Sequence, residues 1–350
     1  MDVYGVSRRA FLMGATGGAA LLLGGGNARA APAALPEIVD CAGWGARPAS
    51  APIATLDRRP TRIIVHHTAD PNGRDVSRDA AVRLARAIQN HHMDRQGWID
   101  SGQQFTITRG GIVLEGRHRS LEALQSGKFH VVGAHCTGQN DVAVGIENEG
   151  IYTSAIPPRP QLDRLREMLA ALCTRYGIAP AEIRGHREYR DTACPGDQLY
   201  GLLPQLRTDV GTLVGRPLAA AQALQHVWPL LSPGDRGPAV AAAQHLLSGA
   251  GHRVEPSGKF DPGTEQAVLT FQTEHATEGR TGLIGGETWP LLTRDVRVDR
   301  GPGEQALRCM LGSAPGPHAV AIAGVSGGPV AVAGGVLDDR AWKRVLGELG

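Results

Sequence analysis

The chain has 350 residues and a formal net charge of +2, a balance too close to neutral to indicate a nucleic-acid partner. Hydrophobic residues make up 42% of it, which excludes an intrinsically disordered chain, and the length suffices for two or more domains. Because aromatic residues are only 4%, the cores must consist mainly of alanine, valine, leucine and isoleucine.

The N-terminus has the order of a secretory signal peptide. The stretch SRRAFLMGA at residues 7–15 places two arginines shortly before Phe11, and the apolar run AALLLGGG and the small-residue segment NARAA follow. A basic start, a short apolar stretch and an A-x-A site predict a signal peptide at residues 1–30, cut after Ala30. The twin arginines indicate the Tat route, which exports folded proteins. We therefore expect a secreted or cell-wall-associated monomer that has no membrane-spanning segment in its mature form.

The segment from residue 38 to residue 208 alternates strand and helix patterns, which predicts an α/β layer fold with its site at strand ends. In chain order the patterns are a strand at 61–68, a helix at 75–94 capped by Asp75 or Ser77, a hairpin at 103–117, a strand at 141–150, a helix at 161–178 that stops at Gly177, a short strand at 182–189 and a closing helix at 197–210.

Two further segments follow a weakly patterned stretch at residues 209–227, which we interpret as a linker. Residues 228–293 hold three short helical patterns separated by Gly/Pro turns, which predict a second, small three-helix domain. Part of this pattern returns in the tail, where the DRGP of residues 235–238 recurs at residues 299–302. We interpret residues 297–350 as a degenerate second copy.

Histidine and cysteine side chains lie at the ends of two predicted strands. The pair that begins with His66 ends one strand, and His186 and Cys194 flank the end of the last, eight residues apart. Two imidazoles and one thiolate can form a zinc site that keeps one coordination position for water. The alternative is that Cys194 forms a disulfide with another cysteine. The five cysteines are an odd number, so at least one does not pair within the chain. We also hypothesise a disulfide bond between Cys41 and Cys173.

Five motifs occur in one order along the chain: IIVHHTA, GWIDSGQQFTITRGGIVLEGRH, VGAHCTGQN, AVGIENEG and GHREYRDTACPG. Together they resemble the peptidoglycan recognition protein and type 2 N-acetylmuramoyl-L-alanine amidase family over residues 38–208. The resemblance implies a mixed β-sheet flanked by helices, with zinc (Zn²⁺) in a surface cleft. It implies a hydrolase that cleaves the amide between N-acetylmuramic acid and the L-alanine of the peptidoglycan stem peptide. The alternative is a non-catalytic protein that recognises muropeptides.

The resemblance assigns the zinc ligands and the general base. It makes His66, His186 and Cys194 the metal ligands. It makes Glu147 the base, because related muropeptide-recycling amidases carry glutamate at this strand position. A carboxylate accepts a proton effectively when desolvation raises its pKa. Glu149 lies on the same face of the strand. The alternative is that it shares the role of general base with Glu147 or takes that role instead.

The resemblance also marks the surroundings of the reacting carbonyl. Thr192 either donates to the oxyanion or only orders its loop. His135 and Asn140 match positions around the substrate cleft. Gln103 stands where many members have a tyrosine beside the zinc, and glutamine donates a hydrogen bond but exchanges no proton near pH 7. His67 points to the opposite face of its strand from His66, which predicts a structural role.

Residues 228–293 resemble the peptidoglycan-binding type 1 domain through GDRGPAV, AQHLL, GKFDPGTEQAVLTFQ and GLIGGETWPLL. The resemblance implies a three-helix bundle that binds peptidoglycan, which is then the expected partner of the whole protein. Such a module tethers the enzyme to the cell wall and raises the local concentration of its substrate.

Overall fold

The computed structural model describes residues 35–225, 227–298, 300–311 and 336–348, so the predicted signal peptide lies outside the described residues. The strands are β1 (Ile38–Val39), β2 (Thr55–Leu56), β3 (Arg62–His67), β4 (Phe105–Ile107), β5 (Val113–Glu115), β6 (His130–Val131), β7 (Ala143–Asn148) and β8 (Ile183–Gly185). The helices are α1 (Cys41–Trp44), α2 (Arg78–Asp94), α3 (Ser120–Ser126), α4 (Arg159–Tyr176), α5 (Asp197–Gly201), α6 (Leu203–Leu213), α7 (Ala220–Ala223), α8 (Pro238–Gly249), α9 (Pro262–Glu274), α10 (Thr288–Thr293), α11 (Gly301–Leu311) and α12 (Asp339–Glu348). Across these ranges, no helix is both long enough and apolar enough to cross a membrane.

Six strands form one mixed sheet in the order β1-β5-β4-β7-β3-β8. The predicted hairpin pairs β4 with β5 antiparallel, and the other neighbours in this sheet run parallel. A separate small sheet pairs β2 with β6. The expected α/β class, a mixed sheet flanked by helices, is therefore confirmed.

The alternation of side chains along β3 and β7 decides which residues reach the site. Ile63 and Val65 of β3 point into the hydrophobic cluster beneath α4 and α6, where burial of each such side chain contributes about 1.5–3 kcal/mol. His66 falls on the opposite face, and its register partner in β7 is Glu147. Because the apolar side chains of the two strands pack on the other face, His66 and Glu147 lie side by side on the face of the sheet that carries the site.

Local sequence sets the helix ends. The Ser77 hydroxyl caps α2 by accepting the Ala80 N–H at 3.2 Å, which decides between the two predicted caps. Gly177 ends α4 in the left-handed conformation with φ of 79°, as its position predicts. The expected closing helix is divided into α5 and α6, and Pro204 lies in the first turn of α6, where its missing N–H costs nothing.

The segment predicted as a linker packs against the α/β region. It contains the end of α6 and the short α7, and Val210 within it is fully buried. The Arg207 guanidinium donates to the carbonyl oxygens of Ile183 at 2.7 Å and Ala223 at 3.1 Å. Through Arg207 of α6, these bonds hold α7 close to the start of β8.

The C-terminal region is helical, as expected, but five described helices share its core rather than three. We call residues 228–298, 300–311 and 336–348 the C-terminal module. Phe271 and Trp289 lie in the same hydrophobic cluster as Met310 and Trp342, which belong to the predicted second copy. Helices α11 and α12 therefore complete the core of the first copy. The repeat relationship itself stays a prediction.

The hypothesised disulfide between Cys41 and Cys173 is wrong, and all five cysteines are free. The two lie on opposite faces of the sheet: Cys41 packs in a cluster with Leu114 of β5, whereas Cys173 packs in the cluster that holds Val113. The Cys41 thiol donates to the Gly116 carbonyl oxygen at 3.5 Å. Burial raises the pKa of Cys173 to about 12, so this thiol is an inert part of the core.

Candidate metal centre

Three side chains bring metal-binding atoms together at the C-terminal ends of β3 and β8. One donor atom each from His66, His186 and Cys194 lies within 4.8 Å of the other two. The His66 Nδ1 is 3.6 Å from the Cys194 Sγ, and the centroids of the two histidine rings are 4.4 Å apart. A tetrahedral zinc ion at its usual bond lengths holds nitrogen and sulfur about 3.6 Å apart. The donor set and its spacing therefore fit a tetrahedral metal ion.

The loop of residues 186–194, which we call the ligand loop, carries two of these donors. His186 begins a single 3-10 turn directly after β8. The loop then folds back, because the Arg187 N–H donates to the Cys194 carbonyl at 3.0 Å and the Arg187 guanidinium bonds to the Ala193 carbonyl. The Thr192 hydroxyl accepts the Cys194 N–H at 3.2 Å. These local bonds bring residues that are eight positions apart to one point.

A chain of hydrogen bonds assigns the tautomer of His66. Its Nε2 lies 3.0 Å from the His135 Nδ1, and the His135 Nε2 lies 3.2 Å from the Ala143 carbonyl oxygen. Because a carbonyl only accepts, the His135 Nε2 carries the proton and its Nδ1 accepts from His66. His66 then presents an unprotonated Nδ1 toward Cys194. Burial lowers the pKa of His135 to about 4 and that of His66 well below its usual range, which keeps both rings neutral.

The predicted substrate contacts His135 and Asn140 have other partners in the structure. Both ring nitrogens of His135 are engaged as described, so neither is free for a substrate. The Asn140 Oδ1 accepts the N–H groups of His135 and Cys136, each at 2.9 Å. The His135 ring packs directly over Gly145, where an added Cβ would lie 2.5 Å from its Cγ. Both side chains therefore order the wall behind His66.

Glu147 lies in the same cleft and has a carboxylate oxygen without a partner. Its Oε2 is buried and accepts no hydrogen bond in the described part of the chain. Burial, with a smaller contribution from the charge of Asp70, raises the pKa of Glu147 to about 8. A buried carboxylate without a partner beside metal-binding donors is typical of a functional site.

Glu149, the alternative to Glu147, points elsewhere. Its Oε2 accepts the Arg109 N–H at 2.8 Å, and its own N–H donates to the Ile107 carbonyl at 2.9 Å. Both contacts hold the turn of the β4–β5 hairpin. The structure thus separates the two glutamates, one toward the metal-binding donors and one toward the hairpin.

The cleft around these residues has a volume of about 400 Å³. Thr192 lines it, as does Gln103, whose Nε2 donates to the Thr106 hydroxyl at 2.9 Å and whose Oε1 has no hydrogen-bond partner among the described residues. His92 and Trp98 also line it, with ring centroids 4.6 Å apart. The sequence did not single out these two. The only signal for His92 is its place one turn after Ile88 on the apolar face of α2.

The Cys194 thiol is buried in surroundings that oppose its ionisation. Burial raises its pKa well above the usual range, and the charge of Glu147 adds to this effect. The His67 N–H, which lies 3.4 Å from the sulfur, and the charge of Arg187 act in the opposite direction. Since metals bind the thiolate, a bound cation would supply the charge that this burial opposes. The His67 side chain has a separate role, accepting the Tyr152 N–H at 3.3 Å.

The chain is similar to known proteins in two regions. A family model described as N-acetylmuramoyl-L-alanine amidase matches residues 56–197, and one described as putative peptidoglycan binding domain matches residues 236–292. Peptidoglycan recognition protein 1 of Bos indicus is 32% identical over 173 residues, covering 48% of this chain and 83% of that protein.

An N-acetylmuramoyl-L-alanine amidase of Homo sapiens is 34% identical over 178 residues, which is 50% of this chain but only 29% of the human protein. The solved structure of wild-type Drosophila PGRP-LB is 30% identical, covers 48% of this chain and 92% of that chain, and has a TM-score of 0.42. From the matched models and the extent of the bovine match, this chain belongs to the family of N-acetylmuramoyl-L-alanine amidases and peptidoglycan recognition proteins, and it carries a peptidoglycan-binding module.

Proposed function

We propose that this protein is a zinc-dependent amidase that hydrolyses the bond between N-acetylmuramic acid and the L-alanine of the peptidoglycan stem peptide. One observation carries the proposal: the donor cluster of His66, His186 and Cys194 shares its cleft with the unpartnered carboxylate of Glu147. A protein that only recognises muropeptides needs the cleft but has no use for a buried, unpaired carboxylate. The family relationship supports peptidoglycan as the substrate and partner.

The three donors would hold the zinc ion. When bound, zinc supplies Lewis-acid activation of water and of an amide carbonyl near neutral pH. His135 supports this arrangement from behind, since its bond to His66 fixes which ring nitrogen of His66 faces the site.

Glu147 would move the protons of the reaction. Its carboxylate takes a proton from the attacking water and returns one to the nitrogen of L-alanine, so that the amide and water become a lactyl carboxylate and a free amine. A carboxyl whose pKa is raised toward neutrality suits both transfers. The Thr192 hydroxyl uses a lone pair for the Cys194 N–H, which leaves its proton free to donate to the developing oxyanion. Gln103 keeps one amide hydrogen for the substrate.

The proposal is tested by incubating zinc-loaded protein with purified peptidoglycan and with a defined soluble muropeptide. Mass spectrometry should detect free stem peptides with a new L-alanine amino terminus, and removal of zinc by a chelator should abolish their release. The competing function is recognition without hydrolysis. It is supported by the glutamine at position 103, where catalytic relatives often have tyrosine. Muropeptide binding with full zinc occupancy and no released peptide would establish that alternative.

We also propose that the protein leaves the cell by the Tat route and acts as a monomer, secreted or associated with the wall. The support is the sequence SRRAFLMGA with the apolar run behind it. Replacing Arg8 and Arg9 with lysine is expected to retain the protein inside the producing cell, as measured by fractionation and immunoblotting. Unchanged export of the double lysine variant would rule out the Tat route.

The space above Gly145 leads to a prediction about the support of His66. Gly145→Ala should displace the His135 ring, because the new Cβ would lie 2.5 Å from the His135 Cγ. Loss of a partner behind a metal ligand typically weakens metal affinity about 10–100-fold, and competition with a zinc chelator measures this. Gly201→Ala is the control, since nothing lies within 4 Å of its added Cβ. Equal zinc affinities for both variants would show that His135 has no part in metal binding.

A further inference from the structure

The ligand loop has a second anchor, in the C-terminal module. Asp191 lies three residues before Cys194 and is only 3% exposed. Its Oδ1 accepts the backbone N–H groups of Gly285 at 2.7 Å, Glu287 at 3.2 Å and Thr288 at 3.1 Å. Its Oδ2 accepts the Thr288 hydroxyl at 2.5 Å. A single buried carboxylate from the α/β region thus binds three backbone N–H groups and one hydroxyl of the module.

These donors include the free N–H groups at the start of α10. The residue at its N-cap, Glu287, makes no side-chain capping bond, so the helix takes its cap from Asp191 instead. A carboxylate is also favoured there by the helix dipole. The Gln272 Nε2, from α9, donates to the same carboxylate at 3.2 Å. Asp191 therefore ties the loop to two helices of the module at once.

Further contacts around Asp191 close the junction. The neighbouring Arg190 guanidinium forms ion pairs with Glu278 at 2.7 Å and with Glu287 at 3.0 Å. Gly286 lies so close to the loop that an added Cβ would be 2.4 Å from the Glu188 carbonyl. The module thus meets the loop backbone directly at Gly286.

The two halves of the ligand loop are held from different sides. The α/β region holds the first half, where the Glu188 Oε1 accepts the Gly185 N–H at 2.9 Å and pairs with Arg207 at 3.4 Å. In the part of the chain that the structure describes, the side chains of Arg190 and Asp191 bond to the module. The stretch that leads to Thr192 and Cys194 is therefore held by the module as well as by the bonds from Arg187.

A groove of about 380 Å³ lies at this junction and opens beside the metal centre. Trp98, His186 and Thr192 line one side, and Glu278, Thr281 and Glu287 of the module line the other. The first three also line the metal cleft, so the groove and the cleft adjoin. A substrate longer than the scissile bond and its neighbours would contact the module while it is being cleaved.

We propose that the C-terminal module contributes to the active site and that Asp191 is the positioning residue that connects the module to the ligand loop. Through α10, Asp191 holds the ligand loop in the shape that places Cys194 and Thr192, and the segment from Glu278 to Glu287 forms one wall of the substrate groove. The substrate part of this inference rests on the proposed amidase function. The metal-binding part does not, because it concerns only the position of a donor atom.

The test uses the full chain and Zn²⁺ alone as the probe. Asp191→Ala and Thr288→Ala each remove part of the junction, from opposite sides. Both are expected to weaken zinc affinity about 10–100-fold in competition with a chelator, as loss of support behind a metal ligand does. Thr288→Ser keeps the hydroxyl and should restore affinity close to that of the natural protein. Hydrogen exchange of the ligand loop should rise in the first two variants only.

The matched control is Asp261→Ala. The Asp261 Oδ1 caps α9 by accepting the Thr264 N–H at 2.8 Å, so its loss weakens the module without touching the loop. It should leave zinc affinity unchanged. Thr288→Ala removes one hydrogen bond, which keeps the test valid if Asp191→Ala does not fold.

The inference would be overturned if a folded Asp191→Ala or Thr288→Ala variant had the zinc affinity of the unsubstituted protein and the same hydrogen-exchange rate in the ligand loop. The module would then be only a tether. A zinc-loaded natural protein that binds muropeptides but releases no stem peptide would instead overturn the amidase function, and the zinc comparison would stand.

Discussion

Replacing Glu147 with glutamine is expected to lower kcat for muramyl-L-alanine hydrolysis by about 10²–10⁴-fold, the usual contribution of a positioned general base. The amide fills the same volume but takes no proton from water. Muropeptide affinity should change little, because no described donor pairs with the Glu147 Oε2. Steady-state kinetics on a soluble muropeptide, with zinc content measured on the same sample, checks the prediction.

The pH dependence gives this variant a second signature. Glu147 acts as a base only when ionised, so kcat/KM should fall as the pH drops through its pKa. Burial raises that pKa to about 8 in the metal-free protein, and a zinc ion close by would lower it, so the acidic limb should lie below pH 8. The limb should disappear from the residual activity of Glu147→Gln. A residual activity with the same acidic limb would assign it to another group.

Glu149→Gln is the matched control for Glu147→Gln. Its side chain accepts the Arg109 N–H at 2.8 Å, and an amide oxygen can keep that bond. We expect kcat within about threefold of the natural protein, since a neutral acceptor still makes a normal hydrogen bond. A reversed result, with Glu149→Gln inactive and Glu147→Gln active, would exchange the roles of the two residues.

Replacing Cys194 with alanine is expected to abolish zinc binding at micromolar metal and to reduce amide hydrolysis to background. Even a supporting residue behind a metal ligand is worth about 10–100-fold in affinity, so the loss of a ligand should exceed that range. Two histidines alone also leave the site without the negative charge that the thiolate brings. Metal analysis after dialysis and the same peptide-release assay measure the two effects.

Cys173→Ala separates metal loss from damage to the fold. Its side chain is buried even more deeply than that of Cys194, but it lies on α4 within the core, away from the donor cluster. Its removal should reduce the free energy of unfolding by about 1 kcal/mol, as small core deletions do, while zinc content stays at one ion per chain. Loss of zinc from Cys173→Ala would mean that the Cys194 result reports general unfolding.

Much of the fold and part of the site could be predicted because their causes are local. The β-branched run of β3 ends in His66, and the alternation of side chains along a strand alone places His66 on the opposite face from Val65. Gly177 ends α4 for the same kind of reason, since only its own backbone conformation is involved. The hairpin and the three helices of residues 228–293 likewise follow from turn residues and spacing.

The sequence by itself therefore determined the α/β class, the polar ends of β3 and β8, and the three donors that meet there. Only the tertiary structure decided that His135 supports His66, that Glu149 serves the hairpin, that Cys41 and Cys173 lie apart, and that Asp191 joins the ligand loop to the C-terminal module. The His66–His135 and Asp191–Gly285 bonds join residues 69 and 94 positions apart. Such pairings depend on how the sheet and helices pack, which leaves no periodic trace in the chain.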